Sequence, residues 1–370
     1  MTLEQLQEAL AHGAGRTENA YPDFRDGSSL TLSNARGMYQ HTTEVVVVIA
    51  RGVAWRGLFC FPKETGMRAS VTVRVAGSTS NLGAGFDCVG VAVGRWLRVT
   101  AQATRGGNPV VIDRGGTLRA LDIAPEADLL YRGFAAACRR AGREVPSGLA
   151  LVADSDIPVA RGLGSSAAAT VAGAAAAAAL LDLALDAAGL AELCSELEGH
   201  PDNVAPAVFG GANLVLRGPD GLIVTPLPIH QSLALVFAVP DFTVETRRAR
   251  AALPATLPHA EAVRAAAKSA ALVHGLAHGD ARLLAAGLDD VLHVPFRRAL
   301  VPGYDEVTGA ARQAGAYGAT LSGSGPTIVA VVGADGVRAV GDAMVRAWGA
   351  RGTSAQTFHA ARPAGGFETD

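Results

Sequence analysis

Pro158-Val159-Ala160-Arg161-Gly162-Leu163-Gly164-Ser165-Ser166-Ala167-Ala168 is the most informative stretch of the chain. Gly162 and Gly164 permit a tight backbone turn with no side chain projecting toward a ligand. Ser165 and Ser166 stand where N-cap residues belong, and the alanine-rich run behind them predicts a helix over 167–185. The first N–H groups of such a helix have no intrahelical acceptor, and the helix dipole places partial positive charge at the same end. Residues 158–168 therefore make a candidate anion loop suited to a polyphosphate. A lone Gly-x-Gly would be read as an ordinary strand-to-helix turn. The uninterrupted Gly-Leu-Gly-Ser-Ser-Ala-Ala behind a proline is more specific.

Composition narrows the chemistry. The chain has 370 residues, 49% hydrophobic and 18% charged, which is ample for a buried core and more than one core usually organises. Its 32 basic and 34 acidic residues argue against general electrostatic binding of nucleic acid. The two lysines are Lys63 and Lys268, and neither follows a glycine, so a Walker A phosphate loop is excluded. Cys60, Cys88, Cys138 and Cys194 lie far apart, which reads as free thiols in a reducing compartment. The apolar run 45–61 is broken by Arg51 and Arg56, so neither a signal peptide nor a membrane span is expected, and a cytoplasmic location follows.

Working outward, residues 1–66 carry mixed polar stretches and turn signals, and the texture changes at Met67. The opening segment is expected to be an extension, poorly ordered or not native, with Met67 as the true initiator. Beyond it, short strands and helices alternate: strands at 69–75, 89–100, 148–152, 213–217, 222–226, 233–239 and 327–332, with helices near 128–141, 188–198, 260–278, 280–290, 304–314 and 336–348. The stretch 106–116 reads as loop. This makes the class α+β, with domains at 67–217 and 218–370.

Three further motifs carry chemistry. Ser78-Thr-Ser-Asn81-Leu-Gly83-Ala-Gly85-Phe-Asp87 places an amide and a carboxylate around a turn after a strand. Glu198-Gly-His200-Pro-Asp202-Asn203-Val-Ala-Pro206 packs two acids, an imidazole and an amide into six residues. Leu321-Ser-Gly323-Ser-Gly325-Pro-Thr327 reads either as a hairpin turn or as a backbone that approaches a ligand. His274 and His278 share a helix face, but without a third ligand a solvated face is the better reading. Arg247 and Arg248 are likewise read as solvated.

In this order the motifs resemble the GHMP kinase superfamily from about residue 67 to the end, and their variants are similar to those of the homoserine kinase family. The resemblance implies a fold with an N-terminal domain like the second domain of ribosomal protein S5, followed by a ferredoxin-like C-terminal domain. It implies ATP and Mg2+ as cofactors, L-homoserine as the substrate phosphorylated, a place in threonine biosynthesis, and room for a homodimer. Residues 158–168 match the ATP phosphate loop, while Ser166 and Glu198 match the magnesium ligands. Asn81, Asp87, His200, Thr246, Arg250, Arg297 and Gly323 match the substrate set. Asp87 can neutralise an ammonium, and Arg250 and Arg297 can fork a carboxylate. Asn203 would orient the hydroxyl, with Asp202 as the alternative base. Asp128 departs from the family, standing where an asparagine near the adenine is usual and reversing the donor capability there. Two alternatives compete: a mevalonate-type kinase, whose substrate has no ammonium for Asp87, and a catalytically silent binding protein, which would be expected to lose Ser166, Glu198 or Asn203.

Overall fold

The computed structural model describes residues 68–103 and 110–370. The extension expected at 1–66, with Met67, lies outside the described residues. Strand β1 (Ser70–Asn81) opens with Val71, Val73 and Val75 buried and Thr72 and Arg74 half-buried, the period-2 pattern of a sheet with one covered face. It runs antiparallel to the long β2 (Gly85–Ala103), with register shifts at Ala76/Gly77 and Ser80/Asn81. Strand β3 (Val111–Gly116) lies parallel to β4 (Leu149–Ser155), and β4 pairs antiparallel with β2. Parallel neighbours need a crossover, supplied here by helix α1 (Leu129–Arg140). The sequence reading missed β3, because its glycines Gly115 and Gly116 look like loop.

Helix α2 (Ser165–Leu180) is buried almost all round by its alanines, as expected of a helix with no polar face. It stops five residues short of the expected end, where Asp182 takes φ 50°. Helices α3 (Ala187–Glu198) and α4 (Val204–Phe209) follow, and then the hairpin of β5 (Ala212–Gly218) and β6 (Gly221–Pro226) joins the edge of β2.

The second sheet is built on β7 (Leu233–Pro240), buried at every position. Leu233, Leu235 and Phe237 face the core shared with the first sheet. Ala234, Val236 and Ala238 face a separate core with Val340, Met344 and Trp348. Burial on both faces is why this strand shows no alternation. Helices α5 (Thr246–Ala251), α6 (His259–His278), α7 (Ala281–Leu288), α8 (Val294–Arg297) and α9 (Tyr304–Gln313) precede β8 (Gly318–Leu321) and β9 (Ile328–Gly333). Helix α10 (Val337–Ala350) and β10 (Ala355–Ala360) complete the sheet in the order β10-β7-β9-β8. The chain then returns to the first sheet, where β11 (Glu368–Thr369) pairs with β1. The domain division expected between 217 and 218 falls inside the β5–β6 hairpin, both strands of which belong to the first sheet. Sheet membership changes at the 227–232 connection.

Among the described residues, no helix is long and apolar enough to cross a membrane. Cys88, Cys138 and Cys194 are free thiols, and burial pushes Cys194 up to about 12.

Candidate active site

A cleft of about 310 Å³ brings together residues from seven separate stretches of sequence. Its floor is the loop 159–166. Gly162 and Gly164 adopt φ 72° and 69°, as the reading of a tight turn requires. A Cβ on Gly162 would lie 2.1 Å from the Ser322 carbonyl, and one on Gly164 would lie 2.1 Å from Ser78 Oγ. The loop is clamped by neighbours: Ser78 N–H donates to Leu163 O (3.0 Å), and Ser322 Oγ donates to Gly162 O.

One expectation is corrected here. The N-cap of α2 is Gly164, in the left-handed region, and neither serine caps the helix. Ser165 and Ser166 are the first two helical residues, because the space a capping side chain needs is filled by Ser78. Ser166 Oγ donates instead to Glu198 Oε2 (2.8 Å), and Thr170 Oγ1 donates to Glu198 Oε1 (2.8 Å). Hydroxyl and carboxylate oxygens side by side at the end of this loop are the donor set a hard cation prefers. Ala167 and Ala168 are buried under the loop, and neither they nor Pro158 line the cleft. Arg161 lines it, but its guanidinium donates to the carbonyls of Val159, Pro240 and Asp241, tying the loop to the end of β7.

The opposite wall carries Asn203 and Asp202, at the start of α4. Asn203 Oδ1 accepts from Ser78 Oγ (2.9 Å) and its Nδ2 donates to Ser80 Oγ (2.9 Å), so the amide orientation is set from both sides. Asp202 is fully buried, with Oδ1 2.6 Å from His200 Nδ1. Burial would raise the Asp202 pKa, but the hydrogen bond and charge of His200 outweigh it and hold the carboxyl below its usual range. Burial likewise opposes charge on His200, and the same partner wins, raising its pKa.

At one end of the cleft lie Asn81, Asp87, Thr246, Arg250, Arg297 and Gly323. The structure pairs two of these with each other: Arg250 Nη1 and Nη2 fork onto Asp87 at 3.0 and 2.8 Å. That pairing raises the Arg250 pKa. Arg297 is almost wholly buried and, among the described residues, pairs with no carboxylate, donating through Nε to Ala249 O (3.1 Å). Burial and the charge of Arg250 push its pKa down to about 10. Asn81 holds the turn: its Nδ2 donates to Gly323 O (3.0 Å) and its Oδ1 accepts from Asp87 N–H (3.0 Å). Gly323 N–H donates to Ser80 O (3.1 Å), so the 321–327 element is both a β8–β9 hairpin and a wall of the cleft. Arg247 and Arg248 are exposed, outside the cleft lining, as expected of a solvated face.

The other end is apolar, formed by Leu118, Leu121, Ile123, Leu129 and Leu130. Sequence reasoning found Asp128 there and missed its partner Arg114, which donates to Asp128 Oδ2 through Nε and Nη2 (2.9 and 2.7 Å). Asp128 Oδ1 caps α1 by accepting from Leu130 N–H (2.8 Å). Both carboxylate oxygens are therefore committed to the protein. Arg114 could not be found because nothing in a stretch that reads as loop marks one arginine as a partner of a residue fourteen positions away.

Residues 128–211 match the family model for the GHMP kinases N terminal domain, and 272–350 match that for the GHMP kinases C terminal. A homoserine kinase of Gloeobacter violaceus is 43% identical over 277 residues, covering 75% of this chain and 92% of its own length. This chain belongs to the homoserine kinase family of GHMP kinases. A second family member, from Trichormus variabilis, is 40% identical over 288 residues, covering 78% of this chain and 94% of the relative. The crystal structure of homoserine kinase from Cytophaga hutchinsonii superposes with a TM-score of 0.74 at 29% identity, covering 83% of this chain and 99% of that one. An L. major mevalonate kinase shares the fold at 17% identity, with a TM-score of 0.62, covering 79% of this chain and 98% of that one. The GHMP kinase fold expected from the motifs is the fold observed, and the chain is an ATP-dependent kinase of this family.

Proposed function

We propose that this enzyme transfers the γ-phosphoryl group of ATP to the side-chain hydroxyl of L-homoserine, forming O-phospho-L-homoserine and ADP in threonine biosynthesis. The observation that carries the proposal is one cleft holding an amide-lined anion loop, a fixed carboxamide and a carboxylate–guanidinium set. The nucleobase would occupy the apolar end at Leu118, Leu121 and Ile123, and the triphosphate would lie along 159–166. Ser166 and Glu198 would hold Mg2+, which supplies charge neutralisation on phosphate oxygens when bound.

Homoserine carries one charge of each sign, and the site offers a partner for each. Asp87 would accept the ammonium. Arg297 would take the carboxylate, because a buried guanidinium beside a second one gains most from an anion. Arg250, already forked onto Asp87, would hold that carboxylate in place and share in the anion seat. His200 and Thr246 would line the substrate between these ends. A mevalonate-type substrate has no ammonium and would leave Asp87 without its second partner.

Asn203 would orient the hydroxyl for in-line attack, since its amide is held by two serines. The substrate oxygen bonds to the γ-phosphorus as the bond to ADP breaks, and the proton leaves to a phosphate oxygen or solvent. Asp202 is a poor candidate base: a carboxyl held below its usual range accepts an alcohol proton weakly. Its place beside His200 suits it to fixing that ring. The test is ADP release with L-homoserine, with mevalonate and with neither. Homoserine-dependent ADP is expected, and its absence would end the proposal.

A further inference from the structure

His293 lies outside every motif used so far, yet its imidazole joins two parts of the substrate end. It is completely buried and precedes α8, whose last residue is Arg297. Its Nδ1 is 3.3 Å from Arg297 Nη1, and its Nε2 is 3.2 Å from Gly83 O. These partners determine the tautomer. A guanidinium only donates and a carbonyl only accepts, so Nδ1 carries the lone pair and Nε2 carries the proton. The ring also stacks on Phe86 at 4.9 Å and 20°, while Phe86 stands 5.1 Å from the Arg297 guanidinium. Gly83 and Phe86 belong to the same turn as Asn81 and Asp87. One neutral ring thus spans the loop proposed for the ammonium and the arginine proposed for the carboxylate.

We propose that His293 is a positioning residue for substrate recognition: its Nδ1 lone pair aims the Arg297 guanidinium at the substrate carboxylate, while Nε2–H anchors the Asn81–Asp87 turn. This rests on the assignment of Arg297 to homoserine. The charged groups facing the ring are Asp290 on its own segment, Arg297 on α8 and Asp87 across the turn. Asp290 accepts the backbone N–H groups of Leu292, His293 and Val294, fixing the entry to α8. Burial pushes the imidazole down to about 4, so the ring stays neutral over the range in which the enzyme would be assayed. A protonated ring would turn Nδ1 into a donor facing Arg297, and the positioning bond would be lost.

The two ring nitrogens can be separated by substitution. His293→Asn leaves an acceptor near Nδ1, and His293→Gln leaves a donor near Nε2. The full-length enzyme and both variants would be compared for kcat, KM for L-homoserine, KM for ATP and melting temperature. The expected result is a KM for homoserine raised about tenfold in His293→Gln, as for loss of one hydrogen bond to a charged group. KM for ATP and kcat stay within about twofold, and His293→Asn raises the homoserine KM less, by about threefold, as for loss of the neutral bond to Gly83. Equal effects of the two variants, or homoserine and ATP KM values moving together, overturn the assignment while leaving the functional proposal standing. A wild type without homoserine-dependent turnover overturns both. A second readout needs no substrate: 15N-histidine spectra, with the His293 signal identified by its loss in His293→Gln. The Nε2–H tautomer is expected from the Arg297 and Gly83 hydrogen bonds, and its persistence between about pH 6 and 9 from burial. An Nδ1–H tautomer, or titration in that interval, overturns the proposal.

Discussion

Asn203 shows how much one side chain depends on its supports. Ser78 and Ser80 come from β1, and together they leave the carboxamide one orientation. Asn203→Ala is expected to lower kcat by about two orders of magnitude with little change in KM for ATP, the cost of losing orientation at the reacting hydroxyl. Steady-state kinetics check this, and near-normal turnover would remove Asn203 from the mechanism. The neighbouring pair makes a prediction about pH. His200 has a raised pKa, so the folded state binds its proton more tightly than the unfolded chain does. Its contribution is complete below the ordinary value of 6.5 and fades as pH rises through the folded value. The melting-temperature gap between wild type and His200→Gln should therefore narrow as pH is raised from about 6 to 9, and a widening gap would contradict the assignment. Asp202 and Asn203 were legible because they sit six residues or fewer from Glu198 and His200 in one motif. His293 was not: its partner Gly83 is 210 positions away, and a histidine in an apolar run looks like packing.

Elements were legible where a local rule sufficed and failed where a neighbour intervened. The glycine loop at 159–166 is the clearest case. Two glycines predicted its turn, but the N-cap came out as Gly164 because Ser78 occupies the capping space. Gly162→Ala would force a side chain into a left-handed position and against the Ser322 carbonyl. A loss of stability of about 1–3 kcal/mol is expected, together with a raised KM for ATP. Urea unfolding and ATP titration of turnover measure the two, and an unchanged KM for ATP would separate this loop from the nucleotide. Helices α1 and α2 supply a prediction of a different kind. They cross so closely that a Cβ on Gly173 would lie 2.0 Å from Leu130 O. The alanines predicted a helix there, and nothing local revealed that a second backbone touches it. Gly173→Leu should destabilise the fold by at least about 2 kcal/mol in urea unfolding, since the clash is with main chain that cannot turn aside. A variant as stable as wild type would show that the helices can part at no cost.

At the scale of the molecule, the last ten residues return to the first sheet after the second is complete. Ala364 N–H donates to Ala92 O (3.0 Å), Gly211 N–H donates to Ala364 O (2.8 Å), and Asp370 N–H donates to Thr72 O (3.0 Å). Deleting 361–370 should lower the melting temperature and weaken turnover, because the tail covers an edge of β1 and pairs beside Gly210, at the end of the helix that begins after Asn203. Unchanged melting and turnover would show the tail to be dispensable. Period, turn chemistry and motif order in the sequence were enough for the α+β class, the tight glycine turn at 162–164 and the family, since each rests on neighbours within a few positions, while Thr246, Arg250 and Arg297 came only through the family resemblance. Tertiary structure alone decided the rest: the serine supports of Asn203, the pairing of Asp87 with Arg250, the capture of Asp128 by Arg114, and the bridge made by His293. The reason is physical. Charge pairing and hydrogen-bond direction depend on distances of about 3 Å between groups, and only the folded chain brings residues far apart in sequence within that reach.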